Sequence, residues 1–582
     1  MLTHLVTLDL ERTTEFGHRI AKLARFSGIP TRIVTTADAF VTDPCVGRNA
    51  AIAIHSRTLA SIALRMGASA TSLLQTFSAA FVYGFTDQSE REILCQLTDG
   101  AIARISELPG GTVRHDFADN KLCRQLAGLT FTASADRRRP VFESAAPGGS
   151  LVNLLFADNR PYYLKREGLL SELFLCAGQS ITDLDLNISR CDALHDSLPN
   201  LLPFLIFAKH VFGSACWENP FPRATLIIDD PLLRPRYGFL SHEALLESLQ
   251  QYDFASTLAF IPWNYRRSDR RVTDLYKRNP SRLSICVHGC DHTDGEFGIT
   301  DEGTLSRKVS RALQRIRAHD SGTGLVADRV MVFPQGVFSR ASLTALGGAG
   351  FIAAVNTTLL PTDAGSDYLT LRDFLSPAIE AEGLPLFGRH YPTAVFSFAL
   401  DLFLGKPALV AAHHDIFKNG YTDLCAFVET LKRLEPRLQW APLKQALTTS
   451  GLYQRCGDDS ARVRSFTDSF LLRNPYETQI SFIFSRAAGS KDSVRDVRAD
   501  DLGVPYEVTD ESLISKITLP SGGEVRIQIV RTLDGSQTEG VDSGFNLSIT
   551  ARRYLSELRD NCLARSERLR ALSRGAVRLF SS

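Results

Sequence analysis

The chain has 582 residues, more than one hydrophobic core organises, so two to four domains are expected. Its 65 basic and 64 acidic residues nearly cancel, which excludes a general electrostatic pull toward nucleic acid or an anionic membrane. Eleven cysteines, odd in number and scattered through apolar segments, read as reduced thiols and not as a disulfide framework.

The opening stretch MLTHLVTLDLERTTEFGHRI turns acidic by residue 9 and has no long apolar run before a small-residue cleavage site, so no secretory signal is recognised. LVTLDL, TRIVTT, AAIAIHS and AAFVYGF alternate with helical stretches such as TTEFGHRIAKLARFSG and RTLASIALRMG. That rhythm predicts parallel crossover units in an open, doubly wound α/β domain over residues 1–220. No glycine-rich phosphate fingerprint opens any of these helices. RRRPVFESAAPGGSL is expected to be a loop, followed by the short strands LVNLLFA and SELFLCAG. The most apolar span, LPNLLPFLIFAKHVFGSACW, is interrupted by Pro199, Pro203, Lys209 and His210, as suits a packed helix better than a membrane span. Together these features predict a cytoplasmic protein without a transmembrane segment.

From Phe221 the strand and helix alternation resumes: ATLIIDD, ASTLAFIP, RLSICVHG, DRVMVFPQG, FIAAVN and PALVAAHHD are read as strands with helices between them. Six strands in about 200 residues predict a closed or nearly closed (β/α) barrel over residues 221–435. The last part, 436–582, changes period. SFTDSFLLRNPYETQISFIFSR and LISKITLPSGGEVRIQIVR alternate apolar and polar residues around turn signals, which predicts a β-sandwich. The closing YLSELRDNCLARSERLRALSRGAV reads as a basic amphipathic docking helix.

Three of the barrel strands end in chemistry. Asp229 and Asp230 follow the run Thr225 to Ile228, His288 and His292 follow ICV within HGCDH, and His413, His414 and Asp415 follow LVAA. In a (β/α) barrel the C-terminal strand ends share one rim, so donors distant in sequence meet there. Two imidazoles and one carboxylate are a ligand set for a divalent ion with open coordination positions. A zinc-protease helix would need Glu after the first histidine, and Gly289 stands there. Cys290 is expected to be a buried apolar residue facing away from the ion. Asp294 and Glu296 are expected to satisfy loop amides, and Trp263 and Tyr265 are candidates to stack on a sugar ring.

In order and spacing, IIDDP, HGCDH, VFPQG and LVAAHHD resemble the motifs of the polysaccharide deacetylase family, the NodB-homology domain or carbohydrate esterase family 4, over Phe221 to Phe417. The resemblance implies Asp229 as catalytic base, Asp230, His288 and His292 as metal ligands, and one of the late histidines as general acid. His414 is favoured because Asp415 follows it, with His413 the alternative. It also implies Zn2+, or Co2+, Ni2+ or Fe2+, as cofactor, and an acetylated oligo- or polysaccharide as substrate. The sequence departs from the family at Gly289, where Ser or Thr is usual, and at Thr293, where proline often stands. In the third motif Val332 replaces the arginine that orients the base, and Gln335 replaces the aromatic. Arg389 in LFGRHYP is the candidate replacement cation, and a backbone N–H after Pro334 the candidate oxyanion donor. The alternative is an altered barrel that binds or assembles carbohydrate without cutting it.

Overall fold

The computed structural model describes residues 4–8, 16–37, 40, 43, 46–85, 88–135, 138–144, 150–168, 171–188, 192–365, 368–487, 494–510, 512–532 and 547–562. The chain divides into two compact units. The first comprises Met1–Glu218, Ser366–Leu375 and Tyr453–Ala461, the second Asn219–Gly365, Ser376–Leu452 and Arg462–Ser582.

The first unit is built on a nine-stranded sheet. Thr31–Val34, His4–Leu8, Ala50–His55, Ala79–Tyr83 and Glu172–Cys176 lie side by side and parallel. The parallel pairing expected of this region is therefore confined to this half. Beyond it Arg160–Arg166, Leu151–Ala157, Gly111–Phe117 and Thr130–Ala135 continue the sheet in antiparallel pairs. The physical reason is a tight turn: Asp158 and Asn159 take φ of 45° and 64°, the conformation that joins two strands as a hairpin without a crossover helix. Part of the expected loop, Arg139–Ser144, is also a strand, paired antiparallel with Ile102–Leu108.

The second unit contains the strands that end in polar clusters. They are β1 (Arg223–Asp229), β2 (Ser256–Phe260), β3 (Leu283–His288), β4 (Asp328–Val332), β5 (Ala353–Asn356), β6 (Leu384–Gly388) and β7 (Ala408–Ala412). All pair in parallel in the order β6-β5-β4-β3-β2-β1-β7. Strand β1 is buried at every position, which explains its unbroken apolar run: a parallel strand covered on both faces has no side to leave polar. The ladder is not closed by a full strand pair. A single parallel bridge between His390 and Val410 links the two ends of the curved sheet, through His390 N–H to the Leu409 carbonyl and Ala411 N–H to the His390 carbonyl. Strand β6 was not expected from the sequence, where LPLFG carries a proline and a glycine within five residues.

The same unit also holds two sheets built from antiparallel pairs, as the alternating pattern predicts. One includes Ile480–Ala487, Ser512–Leu519 and Tyr506–Val508, the other Ser469–Arg473, Glu524–Arg531, Val494–Ala499 and Leu502–Gly503. Phe470 and Phe484 meet edge to face between them at 5.4 Å. The last described helix, Leu547–Asn561, covers the first part of the expected docking helix; residues 563–582 lie outside the described ones. Among the described residues no helix is long and apolar enough to cross a membrane, and the nine described cysteines are free.

Candidate functional site

Register brings the motifs together. Ile228 of β1 pairs with Ala412 of β7, Phe260 of β2 with Val287 of β3, and His288 with Val332 of β4. The residues just beyond these pairs share one rim. Asp229, still in β1, is 3 % exposed. Asp230 would point away from it in a continued strand, but the chain turns with φ 80° there, so both carboxylates serve the same site. A positive φ at a non-glycine residue is costly and concentrates at functional positions, and His292 shares it at 57°.

Asp230, His288 and His292 form the one group among the described residues whose donor atoms converge as metal ligands would. Asp230 Oδ1 lies 3.4 Å from His288 Nε2 and 3.0 Å from His292 Nε2. It is buried without a conventional hydrogen-bond partner, an arrangement a divalent ion would satisfy. His288 is prepared for that role: its Nδ1 lies 2.8 Å from the Val332 carbonyl, so the proton sits on Nδ1 and the Nε2 lone pair faces Asp230. Burial alone would push the Asp230 carboxyl up; the two imidazoles outweigh it and hold it well below the ordinary range.

Asp229 is held from the other side. Arg389, the residue directly after the Asn356-paired Gly388 of β6, donates two parallel hydrogen bonds to it at 2.7 and 2.6 Å. Both groups are buried, with side chains 3 % and 4 % exposed. Burial pushes the Asp229 carboxyl up, and Arg389 and then His288 more than offset it, leaving it below the usual value. The cation absent at Val332 is thus supplied from a neighbouring strand end.

The loop after His288 folds around one carboxylate. Glu296 accepts from the Cys290, Asp291 and His292 N–H groups at 2.9, 3.1 and 3.0 Å. Lys308 lies 3.4 Å from it, and Arg315 pairs with Asp291 at 2.6 Å, so helix Glu302–Thr323 braces the loop at two points. Gly289 has φ 65°. A Cβ there would come within 2.2 Å of Glu296 Oε1 and 2.4 Å of Pro334 Cγ, which accounts for glycine in place of Ser or Thr. Burial raises the Cys290 thiol far above its ordinary value, and its sulfur is not among the donor atoms that converge with Asp230. Gln335 takes φ 59°, and its side chain accepts from Gly295 N–H at 3.1 Å.

The two late histidines part company. His413 Nδ1 lies 3.7 Å from Asp230 Oδ2, with its side chain 41 % exposed. His414 turns the other way, 12 % exposed, its Nε2 3.6 Å from Asp560. Asp415 is exposed and makes no side-chain contact with the ligand group. Of the two candidates for general acid, His413 thus lies beside the Asp230 carboxylate, whereas His414, the one favoured from the sequence, lies beside Asp560. Asp560 itself was not singled out in the sequence, because nothing in the final segment resembles a motif. Trp263 stands edge to face with Tyr554 at 6.2 Å, and the Arg267 guanidinium lies over both rings at 5.2 and 4.7 Å. A cavity of about 500 Å³, lined by Ser284, Asp328, Lys444 and Phe470 among others, opens at the starts of β3 and β4, away from this rim.

Solved structures similar to part of the chain include those of carbohydrate esterase family 4 and polysaccharide deacetylases, and also a GH57-type branching enzyme and a maltose-forming amylase. One that extends further is Agd3, described as a novel carbohydrate deacetylase: 10% identity, 91% of this chain and 98% of that chain covered, TM-score 0.41. A family 4 carbohydrate esterase from Streptomyces lividans in complex with acetate shares 14% identity over 38% of this chain and 91% of its own, TM-score 0.24. The Bc1960 peptidoglycan N-acetylglucosamine deacetylase shares 11% over 39% and 89%, TM-score 0.24. No protein-family model and no curated protein matches the chain.

Proposed function

We propose that the protein is a metal-dependent hydrolase that removes acetyl groups from a carbohydrate. The observation that carries this reading is the pairing of two carboxylates with separate partners: Asp230 with two imidazoles, Asp229 with a buried guanidinium. A site meant only to bind sugar has no need of a buried, ionised carboxylate beside a ligand set.

Asp230, His288 and His292 would hold the ion. A divalent cation there supplies Lewis acidity, which lowers the pKa of water and polarises an acyl oxygen. Asp229, kept ionised by Arg389, is placed to accept a proton from the attacking water, and Arg389 fixes the direction from which it does so. His413, beside Asp230 and open to solvent, is the group in reach of the leaving nitrogen or oxygen and returns a proton to it. The Gly336 and Val337 amides are spent on the Phe333 and Pro334 carbonyls, so the Gln335 N–H is the donor in that loop to meet the developing oxyanion. Zn2+ is the first ion to test; the donor set also suits Co2+, Ni2+ and Fe2+. An acetylated oligo- or polysaccharide is the substrate class.

The test pairs metal content with acetate release. The purified protein is expected to bind about one divalent ion per chain and His292→Ala to lose it. The loaded parent is then expected to release acetate from an acetylated glycan. Metal binding with glycan retention but no acetate would replace hydrolysis with carbohydrate binding, and failure to bind Zn2+ or Co2+ at all would end the hydrolase reading.

A further inference from the structure

The Leu547–Asn561 helix is packed inside out. Arg553, Glu557 and Asp560, spaced to share one face, are only 3 %, 8 % and 5 % exposed, whereas Leu547, Tyr554, Leu555 and Leu558 are 71 %, 54 %, 65 % and 50 % exposed. Burying charge is unfavourable unless each group finds a partner. A helix recruited merely to cover apolar surface would turn its leucines inward.

The two carboxylates find partners on the rim. Glu557 takes both terminal nitrogens of Arg267, one at 2.7 Å, in the loop after β2. Asp560 accepts the Tyr237 hydroxyl at 2.8 Å and faces His414 Nε2 at 3.6 Å. Asn561 Oδ1 accepts the Gly238 N–H at 2.8 Å, in the loop that leaves Asp230. Gly238 in turn packs so closely on His414 that a Cβ would stand 2.3 Å from its Nδ1. One helix therefore ties the loops after β1, β2 and β7, which carry Asp230, Trp263 and His413.

We propose that this helix completes the active site and that Asp560 is a positioning residue: by holding His414 and Tyr237 it fixes the His413–His414 turn against the loop leaving Asp230. The catalytic consequence rests on the hydrolase reading above; the placement of His414 does not.

The experiment uses the full chain, selectively labelled with 15N-histidine, with the His414 signals assigned by their loss in His414→Gln. In Asp560→Asn the His414 Nε2 resonance is expected to move and the metal content to stay at the parental level. On an acetylated glycan kcat is expected to fall about tenfold or more with KM within about twofold, and Asp560→Glu to recover part of it. Glu557→Gln, which loosens the helix one turn away, is expected to move the same resonance less. An unmoved His414 resonance, or a parental kcat in Asp560→Asn, overturns the proposal. A parent that releases no acetate while its His414 resonance still responds to Asp560→Asn removes the hydrolase reading and the catalytic role with it, but leaves Asp560 as the group that holds His414.

Discussion

Asp229 and Asp230 are adjacent, chemically identical and differently employed. Environment makes the difference: a bidentate guanidinium for one, two imidazoles for the other. Asp229→Asn is therefore expected to keep the metal and to lower kcat by about 10²- to 10⁴-fold, the usual range for a lost general base; parental acetate release would exclude Asp229 from that role. Arg389 holds the Asp229 carboxyl below its ordinary value, so the proposed base stays ionised into acidic solution. Arg389→Lys, which cannot make the same fork, is expected to shift the acidic limb of kcat/KM to higher pH. A second carboxyl behaves in the opposite sense. Asp328, at the cavity wall, is pushed from 3.8 to about 6 by burial, with Lys444 and Ser284 opposing. The folded state takes up a proton relative to the unfolded one, so this group's contribution is complete below about pH 4 and is lost as pH rises through about 6. Asp328→Asn is expected to leave stability unchanged at pH 4 and to raise it at pH 8. The ceiling is about 3 kcal/mol, reduced by the partial exposure of the site, and denaturant melts at the two pH values measure it.

At the scale of elements, the segment from β3 to helix Glu302–Thr323 shows how the loop carrying His288 and His292 is held in place. Gly289 lets the chain turn under Pro334, and Glu296 gathers three amides that would otherwise be buried without acceptors. Gly289→Ala is expected to cost at least about 2 kcal/mol, from left-handed backbone strain and contact with Glu296, and to weaken metal binding through displacement of His292. Thermal melts with and without Zn2+ separate the two effects. The motif residues were legible in the sequence because each follows a strand's apolar run, and Arg389 in LFGRHYP was named as the candidate cation. Strand β6, which presents Arg389, was not, since Pro385 and Gly388 weaken a five-residue strand signal. The division of labour between His413 and His414 was also hidden: in two consecutive histidines at a strand end, only the turn that follows decides which one faces inward.

For the whole molecule, the sequence predicts a parallel sheet in the first part, a (β/α) barrel in the centre and antiparallel strands at the end; the structure has a mixed sheet in the first, a parallel sheet without full closure in the centre and antiparallel pairs at the end. The antiparallel half of the first sheet was missed because the Asp158-Asn159 turn was not weighed as a hairpin signal. Asp560 was illegible in principle, because a lone aspartate in a basic helix gains meaning only from the loops it meets. Metal binding should register globally. If the ion binds only the folded chain, Zn2+ at about 1,000 times its Kd adds about 4 kcal/mol to stability, seen as a rise in melting temperature that His292→Ala abolishes. An equal rise in that variant would point to binding elsewhere.

The bond between Tyr237 and Asp560 spans 323 positions of chain. During synthesis the Asp230 loop leaves the ribosome well before its partner exists, by about 15 to 65 s at ordinary translation rates. In that interval the two aspartates, the histidine pair and then Arg389 can assemble, while the rim stays unclasped. The ligand residues of a growing chain thus gather early, the rim is completed only once residues 557–561 have emerged, and a bulky insertion placed just after residue 561 would act on the rim from across that same stretch of chain.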